Sequence, residues 1–180
     1  MINFVIAPQS LHRLRRRLSA AGPDAAAEIL EEAGFATGER LVAAWRERVA
    51  AETGVSDASR LDAEWFGPLF GAFCRSLGWG SLEVAAIGDR ALLLTSTDWA
   101  ESEPDAGDQP GCYFTRGCLA AFLTAQAGAP LGVLEVECRT RGGPHCRFLA
   151  GSTETLAAVY DLITAGGGWR DAFAAADLPG

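Results

Sequence analysis

Cys112, Glu135, Cys138 and Cys146 are the residues whose types and spacing point to chemistry. Glu135 stands three residues before Cys138, and Cys146 eight residues after it. Thiolates and carboxylates are zinc ligands, and four of them close a tetrahedral structural site. A closed site braces the fold and does not activate water, which needs an open coordination position. The bland alternative is three small buried cysteines and a surface glutamate.

The stretch from Leu134 to Phe148 reads as a β-hairpin. A turn centred near Gly142 sets Cys138 opposite Cys146, with Cβ atoms about 4.5–5.5 Å apart. That suits two ligands of one metal, and a disulfide after modest movement. Three residues along an ideal strand reverses the face. Glu135 and Cys138 therefore converge only if the strand twists or carries a bulge near Val136-Glu137. Cys112 opens a helix and approaches from outside the hairpin, where the helix dipole favours its thiolate. Cys74 and Cys118 complete an odd count of five cysteines, which in a reducing compartment favours metal over disulfides. Cys74 reads as a small buried hydrophobe, and His145 as solvent-exposed turn.

The elements that must position these residues follow from periodicity. Ser10 is expected to cap a short helix carrying Leu11, Leu14 and Leu18. Its cluster of Arg13, Arg15, Arg16 and Arg17 reads as a solvated face. Residues 25–51 read as mostly helical. Gly34 and Gly38 lie inside that stretch and call for close helix packing, because each costs about 1 kcal/mol in a helix. Leu61, Trp65, Leu69, Phe73 and Leu77 recur every four residues on a further helix, with Phe66 and Phe70 beside them. Residues 82–86 and 91–95 form a first hairpin. Residues 98–110 carry five acidic residues and read as a solvated loop or lid. A helix over 111–126, the second hairpin, a helix from the Ser152 cap to Ile163 and a last helix over 169–175 complete the chain. The expected fold is α+β, with helices packed on a small antiparallel sheet built from two β-hairpins. Residues 1–24 are read as a helical extension, 25–165 as the main domain and 166–180 as a tail.

Composition removes whole classes of function. A net charge of −8 argues against a nucleic-acid surface. All 15 basic residues are arginine, which excludes a Schiff-base lysine and a P-loop lysine. His12 and His145 are the only histidines, and neither lies near a nucleophile elbow. No apolar run spans a membrane, and the N-terminus shows no signal peptide, so a cytoplasmic location is expected.

Cys112-Tyr-Phe-Thr-Arg-Gly117, Glu135-Val-Glu-Cys-Arg-Thr-Arg-Gly142 and Cys146-Arg-Phe148 together resemble the 4-vinyl-reductase domain family. Gly34-Phe-Ala-Thr-Gly38 and Leu77-Gly-Trp-Gly80 are similar to the same domain. That family occurs in bacteriochlorophyll-synthesis proteins and as the sensory input of phenol-responsive activators. The resemblance implies a ligand-binding fold of the nitric-oxide-signalling and Golgi-transport type, often a homodimer. It also implies a structural zinc on Cys112, Glu135, Cys138 and Cys146 beside an aromatic-lined pocket. No histidine here matches the one with which phenol sensors hold the hydroxyl.

The first reading is a non-catalytic module that binds or senses a small hydrophobic, aromatic or tetrapyrrole-like ligand. Trp65, Phe66, Phe70, Phe73, Phe114, Phe122 and Val133 are its candidate lining. Two alternatives stay open. One is a vinyl reductase or assembly factor of bacteriochlorophyll synthesis, although no dinucleotide fingerprint follows a strand. The other is a structural protein that dimerises through helix faces.

Overall fold

The computed structural model describes residues 7–176. The first six residues, which bear on the signal-peptide reading, and the last four of the tail lie outside the described residues. The elements run α1 (Pro8–Ala21), α2 (Pro23–Phe35), α3 (Gly38–Thr53), α4 (Ala63–Ser76), β1 (Glu83–Ile87) and β2 (Ala91–Ser96). They continue with α5 (Tyr113–Ala127), β3 (Gly132–Glu137), β4 (Cys146–Gly151), α6 (Thr153–Thr164) and α7 (Trp169–Ala175). Single 3-10 turns occupy Ala58–Arg60 and Arg139–Arg141. The four strands form one antiparallel sheet in the order β1-β2-β4-β3. The expected α+β architecture is therefore what the chain adopts.

The sheet is covered on both faces. On one side, Leu94, Val133, Phe148 and Ala150 join a core with Trp45, Phe70, Phe73, Leu119 and Phe122 from α3, α4 and α5. On the other, Ala91, Leu134, Val136 and Leu149 meet Leu156 and Val159 of α6 and Phe173 of α7. Residues 148–151 of β4 are consequently buried without alternation, as a strand covered on both faces must be. Ser152 caps α6 by accepting from the Thr155 amide at 3.1 Å, as its sequence position predicts.

Three local expectations need correction. Helix α1 begins at Pro8 with Ala7 at its cap, and Ser10 donates its amide to the Ala7 carbonyl instead of capping. Proline suits a first helical turn because its missing N–H would have no partner there. The stretch 25–51 is two helices, broken at Ala36-Thr37. Trp65 is 59% exposed. It precedes Phe70 by five residues, which carries it about 140° around the helix at about 100° per residue. The buried stripe of α4 is Phe66, Phe70, Phe73 and Cys74.

The glycine pair does have a packing reason. A Cβ on Gly34 would run into the Phe114 carbonyl of α5, one on Gly38 into the Ala121 Cβ, and one on Gly117 of α5 into the Glu31 carbonyl of α2. Helices α2 and α5 thus cross backbone to backbone. An open helical site would gain about 1 kcal/mol from glycine to alanine. At Gly117 the obstacle is main chain that cannot swing away. Gly117→Ala is therefore expected to lose about 3 kcal/mol, the upper end of overpacking costs. Urea unfolding checks this, and an unchanged or higher midpoint would contradict the crossing.

Candidate metal centre

The hairpin β3–β4 delivers three side chains to one place because its ladder changes register. Glu135 pairs with Phe148, but Glu137 pairs with Arg147, so two residues, Val136 and Glu137, face one partner. Val136 packs against the α6–α7 side. Glu137 points the same way, accepting from Arg147 at 2.7 Å and from the Trp169 indole at 2.8 Å. With two successive residues turned outward, Glu135 and Cys138 both face inward, alongside Cys146. The bulge required by the sequence is present.

Cys112 arrives from the start of α5. It occupies the cap position but makes no side-chain cap. Glu101 does that work from thirteen residues upstream. Its carboxylate accepts from the Phe114 amide at 2.9 Å, the Thr115 amide at 2.7 Å and the Thr115 hydroxyl at 2.6 Å. Burial raises the Glu101 carboxyl to about 7 despite these donors. The Cys112 thiol is thereby free to face the hairpin.

The loop carrying Glu101 is not the solvated segment expected. Trp99, Glu101 and Ser102 are buried. The Trp99 indole donates to Thr115 Oγ1 at 2.7 Å. Arg15, expected on a solvated face, is 7% exposed. Its guanidinium donates to the Gly111 carbonyl at 3.1 Å and the Glu101 carbonyl at 3.3 Å, and pairs with Glu103 at 3.4 Å. Arg139 donates to Ser102 at 3.1 Å. Helix α1 and the turn after Cys138 therefore hold the loop between them. His145 is half-buried, and its Nδ1 has no partner.

The ligand atoms of Cys112, Glu135, Cys138 and Cys146 all lie within 4.8 Å of one another, and all four residues are buried. The Cys112 and Cys146 sulfurs stand 3.8 Å apart. Two sulfurs about 2.3 Å from one tetrahedral zinc would be separated by about 3.8 Å. The same gap is far beyond a disulfide bond. Glu135 Oε2 accepts from the Cys112 amide at 3.0 Å, while Oε1 is buried with no partner. An orphaned carboxylate oxygen beside three sulfurs is the donor set a cation takes. In the bare protein, burial drives the Cys112 thiol and the Glu135 carboxyl well above their ordinary values. The Cys146 thiol falls to about 4, because the Cys112 and Cys138 thiols donate to it. The cluster can hold a divalent metal ion in place of those protons.

The other sequence candidates are gathered elsewhere. Phe66, Phe70 and Phe122 stack on one another, with Phe70 and Phe122 centroids 4.5 Å apart. Trp45 packs edge-on against all three and tilted against Phe73. Phe114 is half-buried and Val133 buried against the same core. Trp65 is outside it. The sequence reading missed Trp45, whose place in the ring cluster only the fold reveals.

Residues 100–152 match the vinyl-4-reductase domain family. This is the family the sequence resembles, and the matched segment contains all four residues of the quartet. That segment sits in a chain whose fold is similar to the phenol-responsive sensory domain of the transcription activator PoxR, solved with phenol. The likeness has a TM-score of 0.63 at 14% identity, over 84% of this chain and 76% of that one. No curated protein sequence matches. No helix among the described residues is long and apolar enough to cross a membrane.

Glu101→Ala leaves the first amides of α5 without an acceptor. It should cost about 2 kcal/mol of stability and weaken metal affinity about tenfold or more, as loss of a supporting partner does. Glu101→Gln keeps one acceptor oxygen and should lose less. Urea unfolding and chelator competition measure the two effects. Unchanged affinity in the alanine variant would separate Glu101 from the centre.

Proposed function

We propose that this chain is a non-catalytic domain that binds or senses a small hydrophobic molecule and is braced by a structural zinc ion. The carrying observation is the buried quartet with its unpartnered Glu135 oxygen. Cys112, Glu135, Cys138 and Cys146 hold the ion. Zinc is the fitting metal because soft thiolates select it and four ligands close its shell. The ion ties the start of α5 to the β3–β4 hairpin. The domain spans residues 25–165, acts in the cytoplasm and works as a homodimer.

The ligand sits between α3–α5 and the sheet, among Phe66, Phe70, Phe73, Phe114, Phe122 and Val133. Trp45 supports this placement. It is fully buried at the centre of those rings, and its indole N–H has no acceptor. Buried donors rarely stay unpaired. A ligand with one acceptor oxygen on an apolar body would satisfy it. The close ring contacts mean that such a ligand enters by parting the rings. Those contacts also favour a second reading, a packed structural module that dimerises through its helices.

The two readings part in one experiment. Zinc-replete protein is heated alone and with phenol, larger aromatic alcohols and tetrapyrroles. The sensing reading expects a melting temperature that rises with ligand concentration, by binding linkage. No rise across all three classes leaves the structural reading. Cys138→Ser should lower zinc content and destabilise the fold, because binding of a structural metal is folding energy. Unchanged zinc by elemental analysis would remove Cys138 from the ligand set. Zinc uptake should also release protons and tighten from about pH 6 to about pH 8, because the Cys112 thiol and Glu135 carboxyl must deprotonate. Affinity independent of pH would contradict the assignment.

A further inference from the structure

We propose that helices α1 and α2 form a self-complementary surface, α1 of one copy pairing with α2 of a second. The proposal rests on the homodimer in the reading above and names its surface. Helix α1 carries Arg13-Leu14-x-x-Arg17, and α2 carries Glu28-Ile29-x-x-Glu32. The spacing is the same and the charge opposite. Residues four apart share a helix face, so each helix shows two like charges flanking one aliphatic side chain.

All six side chains are exposed, with Leu14 at 47% and Ile29 at 49%. Among the described residues, Arg13, Arg17, Glu28 and Glu32 make no ion pair or hydrogen bond. Their neighbours differ. Arg15 and Arg16 are engaged by Glu103, and Glu31 by Arg116. The chain satisfies the charges that face inward and leaves this outward set without partners. Like charges four apart repel and weaken a helix. An opposite pair at matching spacing relieves that repulsion on both helices at once.

The occupant is a second copy because both halves of the match lie on one chain. Two-fold pairing brings each residue to its complement twice, as an isologous interface requires. A shallow concavity of ≈ 520 Å³, lined by Glu28, Glu31, Glu32 and Phe35, lies on the α2 face. It gives Leu14 of the partner a seat between acidic residues that meet its flanking arginines. On its other side α2 crosses α5 at Gly34 and Gly117, and α5 begins beside Cys112. The surface is thus one helix away from the metal centre.

Charge exchange tests this on the full chain by sedimentation and native mass spectrometry at low salt. The wild type is expected to be a dimer that weakens as salt rises. Arg13→Glu/Arg17→Glu and Glu28→Arg/Glu32→Arg each set like charges against like, so both should be monomers at concentrations where the wild type pairs. Mixed in equal amounts, the two variants restore both complementary contacts and should form a heterodimer. Restoration also reports that both variants are folded. Leu14→Ser, which leaves every charge in place, should weaken pairing about fivefold or more. A wild-type dimer whose charge variants pair as tightly as before overturns the surface and leaves the dimer standing. A dimer that both variants break but their mixture does not restore also overturns it. A wild type that is monomeric at every concentration overturns both the surface and the dimer, while the zinc and ligand readings stand on their own measurements.

Discussion

Three thiols and a carboxylate share a space in which every ligand atom lies within 4.8 Å of the others, out of contact with water. Groups that ionise to the same sign resist such crowding, since burial and mutual repulsion both penalise the charged forms. Without a cation the cluster stays protonated at Cys112 and Glu135 and carries its charge on Cys146. A divalent ion reverses that balance by replacing protons with metal bonds. An apolar cluster of the same volume would have closed the space at lower electrostatic cost. Retaining four ionisable groups there makes sense through the ion they hold.

The surrounding structure is arranged to let those four groups meet. A bulge turns Val136 and Glu137 outward together, which keeps Glu135 and Cys138 on the face of Cys146. Glu101 caps α5 from a distance, so Cys112 need not spend its side chain on the helix end. Arg15 clamps the Gly111 and Glu101 carbonyls and fixes the chain immediately before Cys112. The glycine crossing of α2 and α5 then sets where α5 lies. A shift in any of these moves a ligand atom, and metal affinity depends on supporting contacts nearly as much as on the ligands.

Much of this was legible in the chain itself, for identifiable reasons. Cys138 and Cys146 flank a short turn, so strand pairing alone sets them opposite each other. The bulge followed from parity, because Glu135 cannot share a face with Cys138 on a regular strand. Gly34 and Gly38 cost helix stability and so implied a close neighbour. The misses are long-range. Glu101 lies in a run rich in acid, glycine and proline that looks solvated, and its partners are amides thirteen and fourteen residues away. Burial of Arg15 depends on carbonyls 86 and 96 residues distant, which no local pattern announces. Trp65 was misplaced because a repeat of four drifts against a helix of about 3.6 residues per turn.

X-ray absorption at the zinc edge probes the centre most directly. On zinc-loaded protein the account predicts one ion per chain, with three sulfurs at about 2.3 Å and one oxygen at about 2.0–2.2 Å. A shell of oxygen and nitrogen without sulfur, or a protein that takes up no metal after reduction, would contradict it.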